Sequence, residues 1–368
     1  MSPARAGHRI LVINTGSAST KLAVYNDENV VWSETLEHLP DELAPLTSPE
    51  EHLRFRTAAV EDCLAKHDEA PERLCAVVAR GGALRSMPGG VYLIDERVVD
   101  DLLHRPALHH AANFSPPIAF NIARRLGIRA YLLDPITVDE FDPEARLSGL
   151  PQVPRQSRLH ALSVRSTAHR VAQELGRDLQ DLNMVVAHLG SGISIAAVRA
   201  GRMVDVNGAD DEGPFSPERA GSICASVIVD MCFSGKYTED QLIHRLTRAS
   251  GLKAHLGTAD ARDVERMIQE GDEHALRVAE AMFYGIAKEI GAMAAVLSGN
   301  VDAVAITGGL AHWQRLVDYV TERCRFIAPV YVYPGENEMQ ALAMGALRVL
   351  NGLEEAKDYS AVVGGEPR

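Results

Sequence analysis

Residues 14–21 bring together Asn14, Thr15, Gly16, Ser17, Ser19, Thr20 and Lys21, and Ala18 is the only residue among them that is neither polar nor glycine. A tight turn needs far fewer such residues. Backbone N–H groups in a Gly/Ser turn can converge on an anion, and short hydroxyls add donors. Lys21 supplies a point charge for a phosphoryl oxygen. The stretch is not a Walker A loop: no glycine precedes Lys21, and a strand pattern follows where a helix should open. A dinucleotide-binding glycine loop fails for the same reason. A second Gly/Ser turn, "LGSGIS" (189–194), and a glycine pair, "TGGLAH" (307–312), also follow apolar runs. The pair is expected to open a helix, a good place for a nucleotide's sugar or α-phosphate. Ionisable residues stand near predicted strand ends or in loops: Arg80, Asp134, His160, His188 and Glu338. Each alone has an ordinary explanation, such as a surface ion pair, a structural histidine or an Asp-Pro turn. As a set they supply carboxylates for a metal ion, cationic groups and phosphate-cradling turns. Those are the parts of phosphoryl transfer, in which positioning and charge neutralisation do most of the work.

These residues need elements to hold them. Residues 10–14, 22–25 and 30–36 read as three strands of an antiparallel meander. Residues 50–66 have a helical pattern, and 75–80 read as a strand ending in "RGG". Residues 114–127 read as a helix with Ser115 as N-cap, prolines in the first turn and a closing glycine. Residues 130–134 read as a strand ending in an aspartate. The second half repeats the theme: strand, turn, strand, turn, strand over 184–206, a helix-rich stretch over 216–298, and a strand over 301–309. Gly16-Ser17 and Gly190-Ser191 lie half a chain apart, which suggests an internal duplication. Two unrelated Gly/Ser hairpins are the alternative. The expected fold class is α/β, with two similar lobes and a nucleotide cleft between them. The expected domains are 1–150 and 151–337, with a helix near 338–352 packing back on the first.

The bulk properties narrow the function. The chain has 368 residues, 46% of them hydrophobic and 24% charged, enough for a sizeable core. A net charge of -13 argues against a nucleic-acid footprint. An anionic ligand must then be drawn in by a local cationic patch. The five cysteines are scattered, odd in number and without a CxxC spacing, as expected of reduced core thiols in a cytoplasmic protein. No uncharged apolar run reaches the roughly 18 residues of a membrane helix. The N-terminus passes from Arg9 straight into a strand-like run, with no signal-peptide pattern.

Six motifs in order resemble the acetate and butyrate kinase family, and its butyrate branch most: "INTGSASTK", "RGGALRSMPGGVY", "AHLGSGISIAA", "DVNGADDEGPFSPERAG", "LGTADARDV" and "TGGLAH". They run from about residue 10 to residue 350. The resemblance implies two duplicated ribonuclease-H-like lobes of the actin, hexokinase and Hsp70 type. It also implies reversible ATP- and Mg²⁺-dependent phosphorylation of a short-chain carboxylate to an acyl phosphate, and a homodimer or larger assembly. Asn14, Ser17, Ser19 and Lys21 match the family's first phosphate loop, and His188, Gly190 and Gly192 the second. Asp134 matches an aspartate that helps place metal and phosphate, and His160 a histidine that stabilises the transferring group. Asp260 and Arg262 match a segment near the adenine, Gly308 and Gly309 the adenosine turn. Glu338 matches a metal-associated glutamate, with Asn14 beside it.

There are departures from the acetate kinase pattern. The arginine expected at position 77 is Val77, and Arg80 stands next to the glycines instead, so Arg80 becomes the expected clamp. A second catalytic arginine has no clean counterpart, and Arg219 is nearest in context. A family histidine falls at His109 or His110, and the spacing to Asn113 favours His110. Ala79 and Leu159 stand where acetate kinases carry bulkier residues. That leaves room for a longer acyl tail, unless both are ordinary packing changes. Three other readings stay open: an acetate or propionate kinase, a non-catalytic nucleotide-binding scaffold, and a sugar or glycerol kinase with Asp134 or Asp139 as its base.

Overall fold

A computed structural model describes residues 7–210, 212–335 and 337–363. By contacts the described residues fall into two units, 7–139 with 337–363, and 140–335.

In the first unit, β1 (Arg9–Thr15), β2 (Ser19–Asn26) and β3 (Asn29–Glu37) form the expected meander. A short α1 (Pro40–Leu43) leads to α2 (Pro49–Lys66). Ser48 caps α2 by accepting from the Glu51 N–H, and Glu51 returns to the Ser48 N–H. Then come β4 (Ala76–Arg80), β5 (Val91–Leu93), α3 (Glu96–His104), α4 (Ser115–Leu126) and β6 (Arg129–Leu133). The sheet order is β3-β2-β1-β4-β6-β5, with β1, β4 and β6 parallel. Near the end of the chain, α12 (Glu338–Leu350) packs against β1 and β4, and α13 (Tyr359–Val363) buries Tyr359 in the core that holds Leu11, Ile13 and Tyr92.

The second unit begins at Glu140 because that residue is held there: its carboxylate takes both Arg165 Nη2 and the Met203 N–H. Its elements are α5 (Ala161–Leu175), β7 (Asn183–Leu189), β8 (Ile193–Arg199), β9 (Arg202–Val206), α6 (Ala225–Phe233), α7 (Glu239–Arg248), α8 (Gly251–Leu256), α9 (Ala261–Gln269), α10 (Glu273–Val296), β10 (Ala303–Gly308), α11 (Gln314–Cys324) and β11 (Val330–Pro334). The sheet order is β11-β10-β7-β8-β9. Counted from each unit's first strand, both sheets run 3-2-1-4-5, with strand 2 antiparallel and strands 1, 4 and 5 parallel. The first sheet adds only β5, antiparallel to β6. The fold is therefore a duplicated ribonuclease-H-like α/β architecture.

Three sequence expectations need correction. Ser115 is not the cap of α4. Phe114 holds that position without a side-chain cap, and the Ser115 hydroxyl accepts from the Thr15 N–H at 2.8 Å instead. The glycine pair at 308–309 opens a 3₁₀ turn, and the helix α11 starts only at Gln314. The cysteines are not all core thiols: none is disulfide-bonded, Cys63 and Cys324 are buried, but Cys75, Cys224 and Cys232 are exposed.

Candidate functional site

In the first unit, three of the proposed residues stand at the carboxyl ends of adjacent parallel strands. Ile13 pairs with Ala79 and Arg80 with Leu133, so Asn14, Arg80 and Asp134 close β1, β4 and β6 side by side. Open α/β sheets bind ligands at this end. Glu338 opens α12, where a carboxylate is favoured by the helix dipole. Asn14 Nδ2 donates to Glu338 Oε2 at 2.8 Å, and Arg80 Nη1 lies 3.4 Å from Glu338 Oε1. Asn14 is buried, while Arg80 and Glu338 are half-buried. Asp134 has a left-handed backbone (φ 33°), and its carboxylate accepts from the Gly90 N–H at 2.8 Å. A left-handed non-glycine residue is strained and must be held by its surroundings. His110 starts a 3₁₀ turn, with its Nδ1 accepting from the Ala112 N–H at 3.1 Å. Desolvation, and then the charge of Arg80, hold its pKa below that of an ordinary histidine. Lys21 pairs with Asn14 in the β1–β2 register and is exposed, as is Ser17. The hairpin closes with the Gly16 N–H on the Ser19 carbonyl at 2.8 Å.

The second unit has its own cluster. His188 is buried on β7, and His160 stands immediately before α5. Their rings stack at 4.1 Å. Each is oriented by a serine: His160 Nδ1 lies 2.9 Å from Ser194 Oγ, and His188 Nδ1 lies 2.8 Å from Ser163 Oγ. The Gly190 N–H closes the β7–β8 turn on the Gly192 carbonyl. Arg219 donates to the Ala209 carbonyl at 2.6 Å and pairs with Asp210 at 3.1 Å. Its guanidinium lies against Gly192, where a Cβ would overlap it. Gly308 ends β10 beside His188's strand, at φ 95°, and a Cβ there would overlap the Leu189 carbonyl oxygen. Gly309 is exposed and begins the 3₁₀ turn. Asp260 and Arg262 are apart from this cluster in role. Asp260 caps α9, and Arg262 pairs with it and pulls its pKa down to about 2.

Sequence reading missed Ser163 and Arg56, which nothing in their local pattern marks, and it quoted Ser115 and Ser194 without these roles, one as a helix cap and the other within the second Gly/Ser turn. Ala79 points into the first unit's core with Leu11, Ile13 and Val77, so packing there sets its size.

The chain is 44% identical over 352 residues to "Butyrate kinase 2" of Clostridium acetobutylicum, covering 95% of this chain and 99% of that one. Residues 152–326 match the family model described as "Acetokinase family". The chain belongs to the acetokinase family. Among solved structures, the acetokinase chain resembles the acetate kinase of Porphyromonas gingivalis, with a TM-score of 0.76, 21% identity, and 94% and 100% of the two chains covered. It also resembles the acetate kinase of Entamoeba histolytica, with a TM-score of 0.72, 18% identity, and 93% and 99% covered. At that identity the likeness carries the fold alone. No helix among the described residues of this acetokinase is long and apolar enough to cross a membrane.

Proposed function

We propose that this acetokinase is a butyrate kinase, transferring the γ-phosphoryl group of ATP reversibly to butyrate or a branched relative. The observation that carries this reading is the 44% identity to a butyrate kinase over nearly the whole of both chains. The acceptor carboxylate is already ionised at neutral pH, so it attacks the γ-phosphorus in line without a general base. The chemical problem is to bring two anions together and to neutralise charge on the equatorial oxygens. Arg80, Lys21 and His160 meet that charge. His110 donates a hydrogen bond, and Asp134 fixes the position of the phosphate and its metal. The two Gly/Ser hairpins, with Ser17, Ser19, His188, Gly190 and Gly192, hold phosphates. Gly308 and Gly309 admit the adenosine, with Asp260 and Arg262 toward the adenine. Mg²⁺ suits the donor set at Asn14 and Glu338, because it takes hard oxygens and prefers one or two carboxylates plus water and substrate phosphates to a full protein cage. When bound, it neutralises phosphate charge.

A cytoplasmic setting fits five cysteines without a disulfide. Self-association is supported by α6, which carries Val227, Val229 and Phe233 exposed and buries none of its residues. The test is acyl-phosphate formation over C2 to C5 acids, trapped as hydroxamates. Highest catalytic efficiency with butyrate or isobutyrate is expected. A peak at acetate would overturn the substrate, and no acyl phosphate from any acid would overturn the activity.

A further inference from the structure

Arg56 lies in the middle of α2, is 2% exposed, and pairs with no carboxylate among the described residues. A buried arginine without an anion needs other acceptors. It finds them in the first hairpin. Nη2 donates to the Ser17 carbonyl at 2.9 Å, and Nη1 to the Ser19 carbonyl and the Thr20 hydroxyl, both at 3.1 Å. His38 completes the grip. Its N–H donates to the Ala18 carbonyl at 2.8 Å, and its Nε2 lies 2.9 Å from Thr20 Oγ1. That hydroxyl accepts from Arg56, and its contact with Nε2 suits a neutral imidazole in either tautomer. Burial, and then the charge of Arg56, lower the pKa of His38 in keeping with this.

We propose that Arg56 is the positioning residue of the Gly16–Ser19 hairpin, turning its amides outward to receive an anionic phosphate. The physical step is the planarity of the trans peptide, which sets each C=O opposite the following N–H. With the carbonyls of Ser17 and Ala18 tied back to Arg56 and His38, the N–H groups of Ala18 and Ser19 face the other way. That is the pattern of a backbone anion nest. The guanidinium fork reaches these acceptors from two nitrogens held in one plane, where an ammonium offers a single point. The proposal rests on the kinase reading above for the identity of the anion, but not for the geometry.

The test uses Arg56→Lys and Thr20→Val in the full chain, with two readouts. One is amide exchange in substrate-free protein at Gly16 and His38, whose N–H groups donate to the Ser19 and Ala18 carbonyls. The other is steady-state kinetics with ATP and the best acid. Arg56→Lys is expected to raise exchange at these amides roughly tenfold or more while the β10 and α10 amides keep theirs. Turnover should fall about 10- to 100-fold while KM for the acid stays within about twofold. Thr20→Val should move both in the same direction by less, and it decides the matter if Arg56→Lys does not fold. Exchange at Gly16 and His38 unchanged in a folded variant overturns the proposal. So does a turnover loss that only follows the loss of folded protein. If the wild type phosphorylates no acid, the kinase reading fails, and exchange alone still decides the role of Arg56.

Discussion

At the residue scale, Arg80 has the most exacting proposed role. It sits at a strand end, shares Glu338 with Asn14, and shifts the titration of His110. A cation placed where charge develops is worth about 10²–10³ in turnover. Arg80→Ala should therefore lose that much acyl-phosphate formation while keeping its fold, as read by kcat and circular dichroism. Retained turnover would remove Arg80 from the chemistry. His38 makes a separate prediction about pH. Its folded pKa is depressed, so the unfolded chain takes up this proton more readily than the folded one. Stability should hold above about pH 6.5 and decline as pH falls below it through the folded pKa. His38→Gln should flatten that limb of the Tm-against-pH curve. An unchanged limb would assign the loss to other groups.

At the element scale, the strand ends matter more than the strands. Gly308 terminates β10 in the left-handed region against the Leu189 carbonyl. An alanine there adds both backbone strain and overlap. Gly308→Ala should cost roughly 1–3 kcal/mol in thermal or denaturant unfolding. It should also raise KM for ATP, because the turn that follows is displaced. A wild-type KM in that variant would detach the turn from the nucleotide. Ser115 teaches the same lesson from the other side. Its hydroxyl leaves its own helix to fix Thr15 at the mouth of the first hairpin, with Thr15 Oγ1 reaching on to the Ala111 carbonyl at 2.6 Å. Ser115→Ala should therefore loosen the hairpin more than α4, a difference that amide exchange at 15–19 against 118–125 would resolve.

At the scale of the whole molecule, one duplicated topology is realised twice, with different residues at equivalent strand ends. Asn14 is the last residue but one of the first strand of one unit's sheet, and the buried His188 holds the same place in the first strand of the other's. Helix α6 is a nine-residue apolar segment with none of its residues buried. If it is a self-association face, Phe233→Ser with Val229→Ser should lower the molar mass measured by light scattering without changing the far-ultraviolet spectrum. An unchanged mass would place the face elsewhere. The sequence by itself determined the strand–turn–strand entry of both units and the class of chemistry, and it nominated the ionisable residues. Alternating apolar runs, glycines and hydroxyls are local signals, and period and turn chemistry depend only on neighbours in the chain. Only the tertiary structure decided that Asn14, Arg80 and Glu338 share one cluster, that Ala79 is core, that Ser115 serves a loop and not its helix, and that Arg56 grips the hairpin. Those facts depend on strand register and on which face of a helix meets the sheet. Contacts across tens or hundreds of residues fix both, and they leave no periodic trace in the chain.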